Sequence, residues 1–214
     1  MTPFTILHVC MGNICRSPMA ERLTVLAARD LLSDAADEAL YVHSAGTGGW
    51  HAGERMDAPA ARQVRARGGE AETFRARKLR AEHLDGSDLV LTATLDQQEY
   101  AGSLRPDAAP RIFVLGEFGR LLRGVVPAAG GVVPAGGVLA AGGRSAAAEL
   151  SPEVVHGRGA ALVAALDAAR DGRPARAGDE LDDPWGRGDG YFSRVADEIE
   201  ATVRPLVAAL LGEP

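Results

Sequence analysis

Short apolar runs alternate with amphipathic stretches along this chain, and their periods change from strand-like to helix-like several times. Phe4–Val9 reads as a buried parallel strand. Residues 18–32 place Leu23, Leu26, Ala27 and Leu31 on one helical face. Leu40–His43 predicts a short second strand, followed by a Gly-rich loop through residues 45–56. A helix over about 57–67 ends at Gly68-Gly69, a pair suited to a helix C-cap. Leu89–Thr92 predicts a third strand, Asp96–Ala101 a helix and Arg111–Leu115 a fourth strand. Residues 153–170 are helical, with Val155, Leu162, Val163 and Leu166 available to the core, and Arg173–Gly190 is loop. Tyr191–Leu211 closes the chain as a helix striped by Val195, Ile199, Val203, Leu206 and Leu210. Pro205 inside that stripe predicts a kink or break just before it. Strands alternating with helices imply an α/β fold with a parallel sheet covered on both faces. In such sheets ligands bind beyond the carboxyl ends of the strands.

The tract Gly124–Gly143 has a different texture. Gly124–Gly130, Gly131–Gly137 and Gly137–Gly142 are near-repeats, too rich in Gly and Pro for a helix and too short for a repeat architecture. The expectation is a mobile loop whose apolar residues leave a partner-binding role open. At 214 residues the chain is most simply one domain over 1–214. Aromatic residues are only 5% against 46% hydrophobic, so the core must be Ala, Val and Leu rather than rings. A formal charge of −6 argues against a general nucleic-acid binder. Residues 62–80 are a local exception, carrying Arg62, Arg65, Arg67, Arg75, Arg77, Lys78 and Arg80 against Glu70 and Glu72. That stretch reads as a solvated helix face and loop, or as a device that steers anionic substrates. No basic stretch followed by a long apolar region opens the chain, and no apolar run approaches a membrane span, so neither a signal peptide nor stable membrane insertion is expected. Two Cys suit a reducing cytoplasm and make a structural zinc site improbable.

Both Cys fall in Cys10-Met11-Gly12-Asn13-Ile14-Cys15-Arg16-Ser17-Pro18, directly after the first strand. A Cys, five residues, an Arg and a Ser at a strand-to-helix turn suit phosphate chemistry through a thiolate. The backbone N–H groups of Met11, Gly12, Asn13, Ile14 and Cys15 can curl around one anion. Ser17 suits the N-cap of the next helix and Pro18 its first position, aiming the helix's positive end at the same point. Arg16 supplies a planar fork for two phosphate oxygens, and the same field favours the thiolate at Cys10. Gly12 allows close backbone approach, and Asn13 tolerates left-handed angles and can brace the loop. No Gly-Lys-Ser/Thr follows the strand, which excludes a Walker-type nucleotide loop. His8 reads as a core or hydrogen-bonded residue, and His43, His51, His83 and His156 lack a metal-like spacing.

The run C-M-G-N-I-C-R-S-P resembles the signature of the low-molecular-weight protein tyrosine phosphatases. The likeness continues through Ser44-Ala45-Gly46-Thr47, Trp50-His51-Ala52-Gly53 and Met56-Asp57, and resumes at Asp182-Asp183-Pro184-Trp185. It implies a three-layer αβα fold with a central four-stranded parallel sheet of flavodoxin-like topology. Against that pattern the Gly/Ala/Pro-rich residues at about 124–150 look like an insertion. It also implies a cofactor-free hydrolase acting on phosphotyrosine-containing proteins, with inorganic phosphate as product. Cys10 would be the nucleophile, and Asp183 the general acid and then base, with Asp182 its competitor on spacing alone. Trp185 can shield the Asp183 carboxyl from water, and Trp50 and Trp185 can wall a pocket for an aryl ring. Ser17 can also donate to the thiolate, and Cys15 can be either a packed thiol or a reversible disulfide partner of Cys10.

The departures matter. Phe74 stands where some members have a His that bonds the loop Asn, so Asn13 must find other partners. An arginine-phosphate-specific subgroup carries Thr where Ile14 stands, which tilts the expectation toward phosphotyrosine, although Gly186 is shared with that subgroup. An arsenate reductase on the same fold needs a relay of further Cys, and none follows Cys15. A non-catalytic phosphate-binding module or a redox switch is the remaining alternative.

Overall fold

The computed structural model describes residues 2–125 and 150–212. The expected mobile loop, insertion and partner-binding role of the Gly/Pro-rich tract lie, from residue 126 onward, outside the described residues. In chain order the elements are β1 (Phe4–Cys10), α1 (Arg16–Leu32), α2 (Ala36–Ala39), β2 (Leu40–Gly46), α3 (Ala58–Ala66), α4 (Ala81–Asp85) and β3 (Leu89–Thr92). They continue with α5 (Leu95–Leu104), β4 (Ile112–Val114), α6 (Leu115–Val125), α7 (Pro152–Arg170) and α8 (Asp189–Leu211). The four strands are parallel in the order β2-β1-β3-β4. That is the doubly wound order expected of a flavodoxin-like sheet.

β1 is buried along its whole length, and its side chains alternate between two apolar clusters. Phe4 and Ile6 join the larger cluster with α1, α7 and α8, whereas Leu7 and Val9 join a smaller one with Leu84, Ala101 and Ile112. The period of two along one strand therefore builds both outer layers. Helix α3 ends as its glycines predict: Gly68 has a φ of +91°, and the Gly69 N–H reaches back to the Val64 carbonyl at 2.9 Å.

Three expectations need correction. Rings do fill the core, where Phe4, Phe74, Phe113, Phe118 and Phe192 are all fully buried. Of the kink or break expected before Pro205, there is no break, since α8 runs from Asp189 to Leu211. Pro205 and Ala201 both lie on the exposed face, so the carbonyl that loses its donor reaches water while the buried stripe holds the helix together. Leu115 ends no strand; it begins α6, which buries Phe118 and Leu122 directly after β4.

Candidate active site

β1 delivers Cys10 to the carboxyl edge of the sheet, beside the point where the strand order reverses between β1 and β3. The chain turns there into α1, and Asn13 makes the turn with a left-handed φ of 55°. Its amide side chain fixes the surroundings. Oδ1 accepts the Arg77 N–H at 2.8 Å, so Nδ2 must face the other way, where it donates to Ser17 Oγ and Ser44 Oγ, each at 2.9 Å. Each hydroxyl thereby has its own hydrogen left for another acceptor. Ser44 donates to Glu21 Oε2 at 2.6 Å. Ser17 Oγ lies 3.0 Å from Cys10 Sγ and 3.5 Å from the Ala45 carbonyl oxygen, and when Cys10 is a thiolate, with no hydrogen of its own, Ser17 is the donor to sulfur. The Asn13 N–H also points at Cys10 Sγ, at 3.3 Å. Two donors on one sulfur stabilise negative charge there.

This network gives Asn13 its partners with Phe74 standing where the resemblance allows a histidine. Asn13 and Ser17 do not line the pocket; both are buried behind the loop and brace it. Ser17 is not the N-cap either. Helix α1 starts at Arg16 with Cys15 as its cap residue, and Met19 N–H bonds the Cys15 carbonyl at 3.1 Å. Pro18, third in the helix, loses nothing, since first-turn amides have no helical partner. Sequence reasoning gave Glu21, Ser44 and the Arg77 amide no role at the loop: Ser44 and Arg77 come to Asn13 from distant segments, and Glu21 joins through Ser44. Burial pushes the Glu21 carboxyl pKa up, against the Ser44 bond and the Arg22 and Arg77 charges. Gly46 is a further support: a Cβ there would sit 2.6 Å from the Met11 carbonyl oxygen, so only glycine lets β2 approach the loop.

Cys10, Met11, Gly12, Ile14, Cys15, Arg16, Trp50, Asp183 and Trp185 line one pocket of about 220 Å³. That is below the roughly 300–1,000 Å³ of drug-sized sites and suits one phosphorylated side chain. Met11, Ile14, Trp50 and Trp185 supply its apolar wall, and both Trp remain largely exposed at the mouth. His51, which sequence reasoning left without a role, also lines it and bonds Glu54 through Nδ1 at 2.8 Å. Arg16 is buried with Nη1 on the Leu181 carbonyl at 3.1 Å and Nη2 on Asp183 Oδ2 at 2.7 Å. Its Nε, also buried, has no partner among the described residues.

The two neighbouring aspartates separate cleanly. Asp183 faces the pocket, whereas Asp182 accepts bonds from Tyr191 Oη at 2.9 Å and Arg194 at 2.7 Å. The Tyr191 ring lies under the guanidiniums of Arg187 and Arg194, at 4.6 and 4.3 Å. The Arg194 bond, then the Tyr191 bond, hold the Asp182 carboxyl pKa below its usual value. Trp185 does not seal Asp183 from water as expected: the Asp183 side chain is 48% exposed, and Trp185 reaches it through its backbone N–H at 3.1 Å. Cys10 and Cys15 are both free thiols. Burial, reinforced by Asp57, Cys10 and Asp183, pushes the Cys15 thiol pKa up. His8, buried in β1, bonds Thr24 at 3.0 Å, as its strand position suggested.

Comparison with known proteins decides the family. The family described as low molecular weight phosphotyrosine protein phosphatase matches residues 5–124. The chain belongs to that family. Low molecular weight protein-tyrosine phosphatase A of Mycobacterium tuberculosis is 38% identical over 116 residues, covering 54% of this chain and 68% of the relative. The low molecular weight protein-tyrosine-phosphatase of Streptomyces coelicolor is 36% identical over 129 residues, covering 60% of this chain and 73% of the relative. In fold, the chain is similar to the Erwinia amylovora tyrosine phosphatase amsI, with a TM-score of 0.60 at 20% identity over 96% of this chain and 92% of that one. It is also similar to the YwlE arginine phosphatase from Geobacillus stearothermophilus, with a TM-score of 0.59 at 22% identity over 96% of this chain and 91% of that one. The family match stops at residue 124 and does not include Asp183, whose link to the Cys10–Arg16 loop is its ion pair with Arg16.

Proposed function

We propose that this chain is a protein-tyrosine phosphatase that works through a phosphocysteine on Cys10. One observation carries the reading: a sulfur receiving two hydrogen bonds, a buried arginine fork and a carboxyl from a distant loop converge on one pocket. In the first step the Cys10 thiolate attacks phosphorus. An S–P bond forms as the P–O bond to the aryl group breaks, and the electron pair leaves on the phenolate oxygen. Asp183, entering as the carboxylic acid, gives that oxygen a proton. Phosphoryl oxygens displace Asp183 from Arg16 Nη2 and take up the unpartnered Nε, which frees the carboxyl to face the leaving group. In the second step water attacks the phosphocysteine while Asp183, now the carboxylate, takes its proton. The S–P bond breaks, its electron pair returns to sulfur and inorganic phosphate leaves.

The apolar wall of Met11, Ile14, Trp50 and Trp185 supports an aryl ring over a guanidinium as the carrier of the phosphate. Two free cysteines, with no helix among the described residues long and apolar enough to cross a membrane, support a cytoplasmic enzyme. The test is direct: offer the purified protein phosphotyrosine, phosphoserine and phosphoarginine peptides side by side. Release of phosphate from phosphotyrosine peptides alone is expected, and faster release from phosphoarginine would replace the reading with its arginine-specific alternative.

A further inference from the structure

The basic stretch noted in the sequence divides into two populations. Arg62, Arg65 and Arg67 are neutralised, by Asp189 at 2.6 Å, Glu72 at 2.6 Å and Glu200 at 2.6 Å. Arg75, Arg77, Lys78 and Arg80 are exposed and, among the described residues, form no ion pair; Arg55 is the same. Three acidic neighbours are engaged elsewhere, Glu70 with Arg22, Glu72 with Arg65 and Glu54 with His51. Asp57 and Glu82 flank the ends of the stretch without pairing, among the described residues, to these cations.

These five cations sit on two segments that are tied to each other and to the active-site loop. Gly53 N–H bonds the Ala76 carbonyl, and Ala76 N–H bonds the Glu54 carbonyl, both at 2.8 Å. Arg77 N–H ends on Asn13, Lys78 bridges to Gly46, and the Lys78 stem lies against Gly49 just before Trp50. Asp57 N–H bonds the Ile14 carbonyl at 2.9 Å, anchoring the other end of the Arg55 segment beside the pocket. Lys78 thus backs the Trp50–His51 side of the pocket and Arg55 lies on the segment tied to it, in a chain whose net charge is −6, whereas the Arg77 charge acts on Glu21, His43 and His83.

Resting on the phosphatase reading of the same site, we propose that this strip is a docking surface for acidic residues flanking the phosphotyrosine of a protein substrate. A phosphorylated side chain in the pocket lays its neighbouring backbone over the Trp50 rim. Carboxylates there gain from several cations at once, and bulk anions reach those cations only as screened point charges. A substrate with neutral flanks forgoes that gain, so the strip selects sequence around a phosphate that the pocket alone reads identically.

The test compares phosphotyrosine peptides with acidic, neutral and basic flanks, using kcat/KM for the wild-type chain. Anisotropy of the same labelled peptides on Cys10→Ser protein gives a binding readout that needs no turnover. An advantage of acidic over neutral flanks on the order of tenfold is expected at low salt, shrinking toward unity as salt shortens the screening length. The pair Arg55→Gln with Lys78→Met, which keeps the Lys78 stem, should remove most of that advantage and leave turnover of a small aryl phosphate unchanged. Equal rates and affinities for all flanks, or an acidic preference that survives both substitutions, overturns the proposal. So does indifference to flanks accompanied by substitution-sensitive binding to anionic lipid vesicles or to single-stranded RNA, which would assign the strip to those partners. Absence of aryl phosphate turnover would instead sink the phosphatase reading, and the anisotropy arm would still decide the docking surface.

Discussion

Replacing Asn13 by Ala removes a side chain that is fully buried and makes three hydrogen bonds, to Ser17, Ser44 and the Arg77 amide. At a net contribution of about 1 kcal/mol each, the bonds account for about 3 kcal/mol. Ala must also adopt the φ of 55° that Asn tolerates, which adds about 1 kcal/mol. The expected loss is about 4 kcal/mol, or about 10 °C in Tm for a chain of this size. Asn13→Gly removes the same bonds without the backbone strain and should be about 1 kcal/mol less destabilised. Urea unfolding of the three proteins measures the energies, and aryl phosphate turnover at a temperature where all are folded measures the site. Without Asn13 the hydroxyl of Ser17 no longer has one preferred acceptor, so turnover should fall in both variants. A loss below about 1 kcal/mol in Asn13→Ala, with turnover intact, would refute the claim that this residue sets the directions of the network.

Three further outcomes follow from named contacts. Asp183→Ala should slow aryl phosphates with poor leaving groups far more than activated ones, whereas Asp182→Ala should change both alike; equal losses in Asp183→Ala would move the acid elsewhere. Tyr191→Phe keeps the ring beneath two guanidiniums but removes its bond to Asp182, so a few-fold fall in turnover, alike for poor and activated leaving groups, is expected on the small scale of exposed contacts, and unchanged turnover would show that the Asp183 loop does not need the bond. His8 is held neutral by burial, its pKa lowered to about 3 by desolvation and then by His43. The unfolded chain therefore binds one more proton between about pH 6.5 and pH 3, and that part of the stability falls as pH falls through the window, by up to about 1.4 kcal/mol per unit. His8→Gln should flatten the acid side of the urea stability curve; a curve parallel to wild type would contradict this.

What the sequence disclosed and what it withheld divide along a physical line. The loop from Cys10 to Ser17 was legible because strand, turn and helix chemistry lie in one continuous run. The buried strand at Phe4–Val9 and the Gly68-Gly69 stop were legible for the same reason. The bracing of that loop was not. Ser44 and the Arg77 amide reach Asn13 from two distant segments and Glu21 joins through Ser44, and nothing local in the sequence pairs them. The start of α1 at Arg16 was missed because Ser-Pro is the stronger local cap signal, yet the Ser17 hydroxyl faces Cys10 and Asn13 instead of the helix amides. Pro205 misled because local propensity ignores that its orphaned carbonyl faces water. The choice between Asp182 and Asp183 needed Arg194 and Tyr191, which hold one of them away from the pocket.

Trapping the covalent intermediate tests the central claim most directly. Asp183→Ala protein mixed with an activated aryl phosphate and quenched in acid should carry one phosphoryl group on the peptide containing Cys10, and Cys10→Ser protein treated alike should turn over none of the substrate. Full turnover by Cys10→Ser protein, or a phosphoryl group found only on another residue, would contradict the account.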